Sequence, residues 1–186
     1  MQTRATSETE RAPRAADATG DGHDTRLGAR ALGYLYLAGA TIGLVSLLLP
    51  HPPQANLGGL YVNVGLAYVG GAALLLGVTR VRSWMLHAAM VLGALLITRA
   101  VLLSGETVSL YAVWYIWIGL YAFYFFSRPA AAGHVALVAV LYGATLVQSP
   151  PASPVARWLT TVATLIVAGV LIDTLVRRAR REASAS

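Results

Sequence analysis

Between Ala31 and Val176 the chain is six long apolar stretches joined by short polar breaks, and this pattern limits the possible folds more than any motif does. A soluble domain of 186 residues must present a polar surface. Here 56% of residues are apolar and only 12% are charged, with the charges gathered mostly at the two ends. A run of about 20 apolar residues is the length that crosses the hydrocarbon core of a bilayer. Backbone groups in hydrocarbon must pair within their own segment, which forces helices. Ten-residue segments of alternating polarity, the mark of a membrane barrel, are missing. The sequence therefore predicts an all-α, polytopic membrane protein, a bundle of six transmembrane helices.

The predicted spans are about 31–49, 57–79, 84–104, 108–127, 130–148 and 157–176. Pro50, Pro52 and Pro53 end the first, and Arg80 and Arg82 the second. Ser104-Gly105-Glu106, Arg128-Pro129 and the prolines 150, 151 and 154 make the remaining breaks. Residues 1–30 hold five Arg and five acids, with no aromatic residue. Such a composition buries too little surface to offset chain entropy, so a disordered cytoplasmic tail is expected there. Residues 177–186 form a basic cytoplasmic extension suited to the anionic inner leaflet.

Arginine placement predicts the orientation. With the N-terminus inside, the inner segments carry Arg26, Arg30, Arg80, Arg82, Arg128, Arg177, Arg178, Arg180 and Arg181, and the outer loops only Arg157. Both termini are then cytoplasmic and the location is the plasma (inner) membrane. This placement explains the net charge of +6 without nucleic acid as a partner. Trp84 and Trp158 fall at helix ends, where interfacial anchors belong. Small residues four apart (Gly39 and Gly43, Ala67 and Gly71, Ala89 and Gly93, Ala139 and Gly143) allow close helix packing within the chain, with a homodimer as the alternative.

Few residues can carry chemistry. Arg99 lies inside the third span, where an arginine costs roughly 2.5–3.5 kcal/mol on insertion scales and so calls for a partner or a reach to water. Glu106 follows seven residues later, on about the same helix face, and the fourth segment returns with Trp114 and Tyr115 at matching depth. These four residues make a candidate polar site, structural or sensing. The fourth segment is aromatic at nine of the sixteen positions from Tyr111 to Phe126. Trp114, Trp117, Tyr121 and Tyr124 are expected on one face, packed in a wide core or lining a pocket for a hydrophobic ligand, a quinone or a lipid. His87 and His134 sit at equal depth on the inner side. They read as satisfied or interfacial histidines, with b-type haem ligation as the other reading. Asp173 pairs with Arg177 one helical turn on.

No Walker loop, Gly-x-Ser-x-Gly elbow or His-Glu-x-x-His motif occurs, so no enzyme is predicted. Cysteine is absent, which removes thiolate metal sites and disulfides. No cofactor or metal is expected. The runs ALGYLYLAGATIGLVSLLLP (31–50), ITRAVLLSGE (97–106), YAVWYIWIGLYAFYFFS (111–127) and RWLTTVATLIVAGVLIDTLVRRARR (157–181) resemble the six-helix N-terminal membrane region of actinobacterial GGDEF-type diguanylate cyclases and related signalling receptors. The resemblance implies a membrane sensor or anchor module of a cyclic-di-GMP-type signalling protein. Membrane lipids and a cytoplasmic cyclase or other output protein would be its partners. No Gly-Gly-Asp-Glu-Phe signature occurs in the chain, so the module is expected to lack its output domain. A small transporter or permease-like protein is the alternative, and would need broken helices and polar groups at the midplane.

Overall fold

The computed structural model describes residues 12–105 and 109–185, with side chains placed from Asp24 onward apart from residues 180 and 183–185. All regular structure among the described residues is helical. The elements are α1 (Ala12–Ser46), α2 (Leu57–Leu76), α3 (Ser83–Leu103), a 3₁₀ turn (Leu110–Trp114) running into α4 (Tyr115–Phe125), α5 (Arg128–Gln148) and α6 (Pro154–Ala185). Among the described residues, five segments are long and apolar enough to cross a membrane: Asp24–Ser46, Leu57–Leu76, Ser83–Leu103, Arg128–Gln148 and Pro154–Ala179.

The fourth predicted span differs. Its helical part, Leu110–Phe125, is too short to count with the other five. Ser109 caps it by accepting from the Tyr111 amide, and its first five residues are 3₁₀ rather than α. A 3₁₀ turn rises about 2.0 Å per residue against 1.5 Å for an α-helix, so the whole segment still reaches roughly 26 Å. The N-terminal tail differs as well. Residues 12–30, expected as disordered tail, are the first half of α1. Alanines favour helix there, and packing holds the end nearest the bundle: Ala29 is 0% exposed, and the Tyr121 hydroxyl donates to the Gly28 carbonyl at 2.9 Å. Residues 1–11 lie outside the described part of the chain.

α1 packs along α2 and α4 along α6, while α3 touches α1, α2, α4 and α5. The main core accordingly centres on α3 and α4, with Leu86, Met90, Ala94, Tyr115, Ile118 and Ala122 buried at its heart. Small residues set the close approaches. A Cβ on Gly71 would lie 3.0 Å from the Gly33 carbonyl oxygen. One on Gly93 would meet the Tyr36 ring, and one on Gly143 the Trp158 indole.

Tyrosine hydroxyls tie the helices together. Tyr36 donates to the Ala89 carbonyl at 2.6 Å. Tyr111 meets Ser46 Oγ at 2.7 Å, and Tyr115 meets Thr98 Oγ1 at 2.7 Å. Ser46 and Thr98 spend their own protons on the Gly43 and Ala94 carbonyls, so both tyrosines are the donors. Where apolar surroundings offer no water, such bonds hold helices together.

The α3 exit turns through Gly105, whose φ of +67° is the left-handed region. A Cβ there would also lie 2.9 Å from the Ala55 amide nitrogen. Gly105→Ala is expected to cost about 1–2 kcal/mol from backbone strain alone, read as a lower midpoint in denaturant unfolding. An unchanged midpoint would show that the turn readjusts.

Candidate functional site

The residues anticipated around Arg99 do not gather into one cluster among the described residues. Arg99 sits on the exposed side of α3. Tyr115, at the same level, is 0% exposed and bonded to Thr98, one position earlier on α3. A single helical position separates an inward threonine from an outward arginine, because successive residues are about 100° apart around the axis. Trp114 packs instead over α1, with its ring 3.4 Å from where a Cβ on Gly39 would stand. Glu106 lies outside the described residues.

The expected aromatic face of the fourth segment divides: Trp114 and Trp117 line a pocket and Tyr121 is buried, while Tyr124 turns outward. Trp117 and Tyr124 are about half exposed, at 49% and 50%. The buried stripe is Tyr115, Ile118, Gly119 and Ala122, with Tyr121 at its edge. These positions follow the i, i+3, i+4, i+7 rule of a core-facing helix. A helix apolar on every side gives no signal of which stripe turns inward, and small Gly119 and Ala122 are chosen because neighbours crowd them. A Cβ on Gly119 would stand 2.6 Å from Leu165 of α6.

What the structure does assemble beside Trp114 is a cavity of about 110 Å³ between α1, α2, α3 and the start of α4. Its walls are almost wholly apolar: Tyr36, Ala40, Ala67, Met90, Ile97, Ala100, Trp114 and Trp117 are among them. Asn63 is the exception. It lies in the middle of α2, is 8% exposed, and donates from Nδ2 to the Leu96 carbonyl at 3.1 Å. Its Oδ1 has no hydrogen-bond partner. Asn63 was missed by the sequence reading, although one amide inside a 20-residue apolar helix is a signal in itself.

On the opposite side of the bundle, α3 and α5 bring His87 and His134 into direct contact, Nδ1 to Nε2 at 3.1 Å. Their rings lie nearly parallel, 4° apart, and Phe126 stacks on His87 with centroids 4.0 Å apart. One ring nitrogen donates and the other accepts. The two imidazoles thus form a hydrogen-bonded pair between α3 and α5. No group of three or more metal-ligating side chains occurs among the described residues.

Asp173 of α6 does pair with Arg177, at 2.8 Å, but it also binds Arg128 at the start of α5, again at 2.8 Å. Arg128 donates through both Nε and a terminal nitrogen to the same carboxylate oxygen. One carboxylate thus holds two helices together near the end of the apolar part of α6. Trp84 is exposed, whereas Trp158 is turned partly inward and donates from Nε1 to the Ala139 carbonyl of α5 at 2.8 Å.

No protein family, curated protein or solved structure matches this chain.

Proposed function

We propose that this chain is a polytopic integral membrane module of a bacterial cyclic-di-GMP-type signalling protein, acting as a sensor or anchor for a cytoplasmic output protein. Membrane residence is supported by five apolar helices of spanning length and by outward side chains such as Leu48, Leu76 and Val147, each at least 77% exposed. Monomers in water do not normally carry so much continuous apolar surface. With the basic segments inside, both termini face the cytoplasm of a plasma-membrane protein.

The observation that carries the signalling role is the build of α6. It runs unbroken from Pro154 through Arg177, Arg178 and Arg181 to Ala185, and its last apolar turns are gripped by Arg128 through Asp173. A rod tied to α5 through both Asp173 and Trp158 passes a displacement of α5 along its length.

The test fuses a diguanylate cyclase domain after Ser186 and measures cyclic-di-GMP made by isolated membranes. Asp173→Asn weakens the grip on both arginines and is expected to change output about threefold or more with insertion intact. Output indifferent to that change would remove the sensor and leave the anchor. A chain that fractionates away from membranes would sink both.

A further inference from the structure

The first turns of α3 and α5 meet through two side chains that take up protons near neutral pH. His87 Nδ1 and His134 Nε2 are 3.1 Å apart. A hydrogen bond at that distance needs one N–H and one bare nitrogen. A neutral pair supplies both, and so does a pair that shares one extra proton. Two imidazolium rings carry N–H at every nitrogen and leave no acceptor. They would also place two positive charges in contact beneath the Phe126 ring, which stacks on His87 with centroids 4.0 Å apart.

The charged and titratable groups around the pair do not offset a second charge. α3 and α5 carry no acid, and their charged groups at this end are Arg82 and Arg128. From α4 the pair is faced by Phe126 and, behind it, Tyr121, whose hydroxyl is committed to the Gly28 carbonyl. Arg80 follows α2, and α1 brings Asp24, Arg26 and Arg30, all exposed. α6 brings Asp173, whose carboxylate is held by Arg128 and Arg177. The charge that acts on His134 is that of His87. His87 is partly exposed, which gives protons a way in.

We propose that His87 and His134 form a proton-operated latch, closed between α3 and α5 while the rings share at most one extra proton and open when both are charged. α5 keeps its tie to α6 through Arg128 and Asp173, so opening loosens α5 and α6 together from α3. The latch does not rest on the signalling reading, because the measurement below reads helix separation alone. Only its placement on the cytoplasmic side follows from the orientation given above.

The chain has no cysteine, so Ser83→Cys and Ala132→Cys, at exposed positions on α3 and α5, carry two spin labels without competing sites. Their separation is measured in nanodiscs from about pH 8 to about pH 5, across the ordinary histidine value of about 6.5 and above that of carboxylates. It is expected to lengthen reversibly toward acid by about 2 Å, the scale of a helix shift at a packed interface. With His87→Gln added, one separation is expected throughout, because the glutamine amide offers both a donor and an acceptor and never becomes cationic. His134→Gln is expected to behave alike, and serves if His87→Gln does not fold. A native separation indifferent to pH would overturn the proposal. So would a lengthening that persists in either folded glutamine variant, which would place the response outside the pair.

Discussion

Tyr115→Ala is expected to destabilise the folded bundle by about 3–5 kcal/mol, the range for removing a large buried aromatic side chain. Tyr115 is 0% exposed, at the point where α3, α4 and α5 meet. Its ring packs against Tyr142 at a centroid distance of 5.8 Å. Its hydroxyl is the first donor in a relay that ends on the backbone, from Tyr115 to Thr98 to the Ala94 carbonyl. Truncation opens a cavity, and so removes packing as well as one bond. Tyr115→Phe keeps the ring and loses only the bond, so its expected cost is about 0.5–1.5 kcal/mol. Denaturant titration in detergent, followed by tryptophan fluorescence, separates the two. Equal losses for the two variants would mean that the hydroxyl and not the ring holds the site.

Gly71→Leu should have the next largest effect, and Gly65→Leu on the same helix should have almost none. At Gly71 a Cβ would lie 3.0 Å from the Gly33 carbonyl oxygen and 3.0 Å from the Leu37 side chain. Neither backbone can retreat without moving α1 off α2. Overpacking of that kind costs typically 1–3 kcal/mol, occasionally more, and here it acts along the longest helix contact of the fold. At Gly65 nothing lies within 4 Å, and leucine ranks just below alanine as a helix former, whereas glycine is about 0.8–1.0 kcal/mol worse than alanine. Its expected effect is therefore neutral to slightly stabilising. If the two variants unfolded at the same denaturant concentration, the close crossing of α1 and α2 would not contribute to stability.

Much of the chain's organisation can be read without coordinates, for reasons visible at particular residues. The runs at 57–76, 83–103 and 128–148 are bounded by Pro52 and Pro53, by Arg80 and Arg82, and by Arg128-Pro129. Proline interrupts a helix interior, and arginine is costly inside an apolar layer. Asp173 with Arg177 was equally legible, because a four-residue spacing on a helix is local geometry. Arg128 as the second partner was not, since it lies 45 residues away in the chain. The same limit applies to Tyr36 on Ala89, 53 residues apart, and to Tyr121 on Gly28, 93 apart.

The candidate site shows the boundary most clearly. The aromatic segment announced itself, but its inward stripe did not. A surface apolar all round carries no amphipathic phase, and the 3₁₀ turn at Leu110–Trp114 resets the phase in any case. Arg99 drew notice because charge in an apolar helix is costly, yet the helix turns it outward and turns Thr98 in.

By itself the sequence determined that the chain is helical, where most of its helices begin and end, and which end of each bears the positive charge. These follow from backbone hydrogen bonding, proline stereochemistry and charge solvation, all of which act locally. Only the tertiary structure decided that Asn63 is buried with its amide oxygen unpaired, that His87 and His134 bond to each other, and that Asp173 joins α5 to α6. Those facts depend on which faces meet, and contacts between distant segments settle that choice.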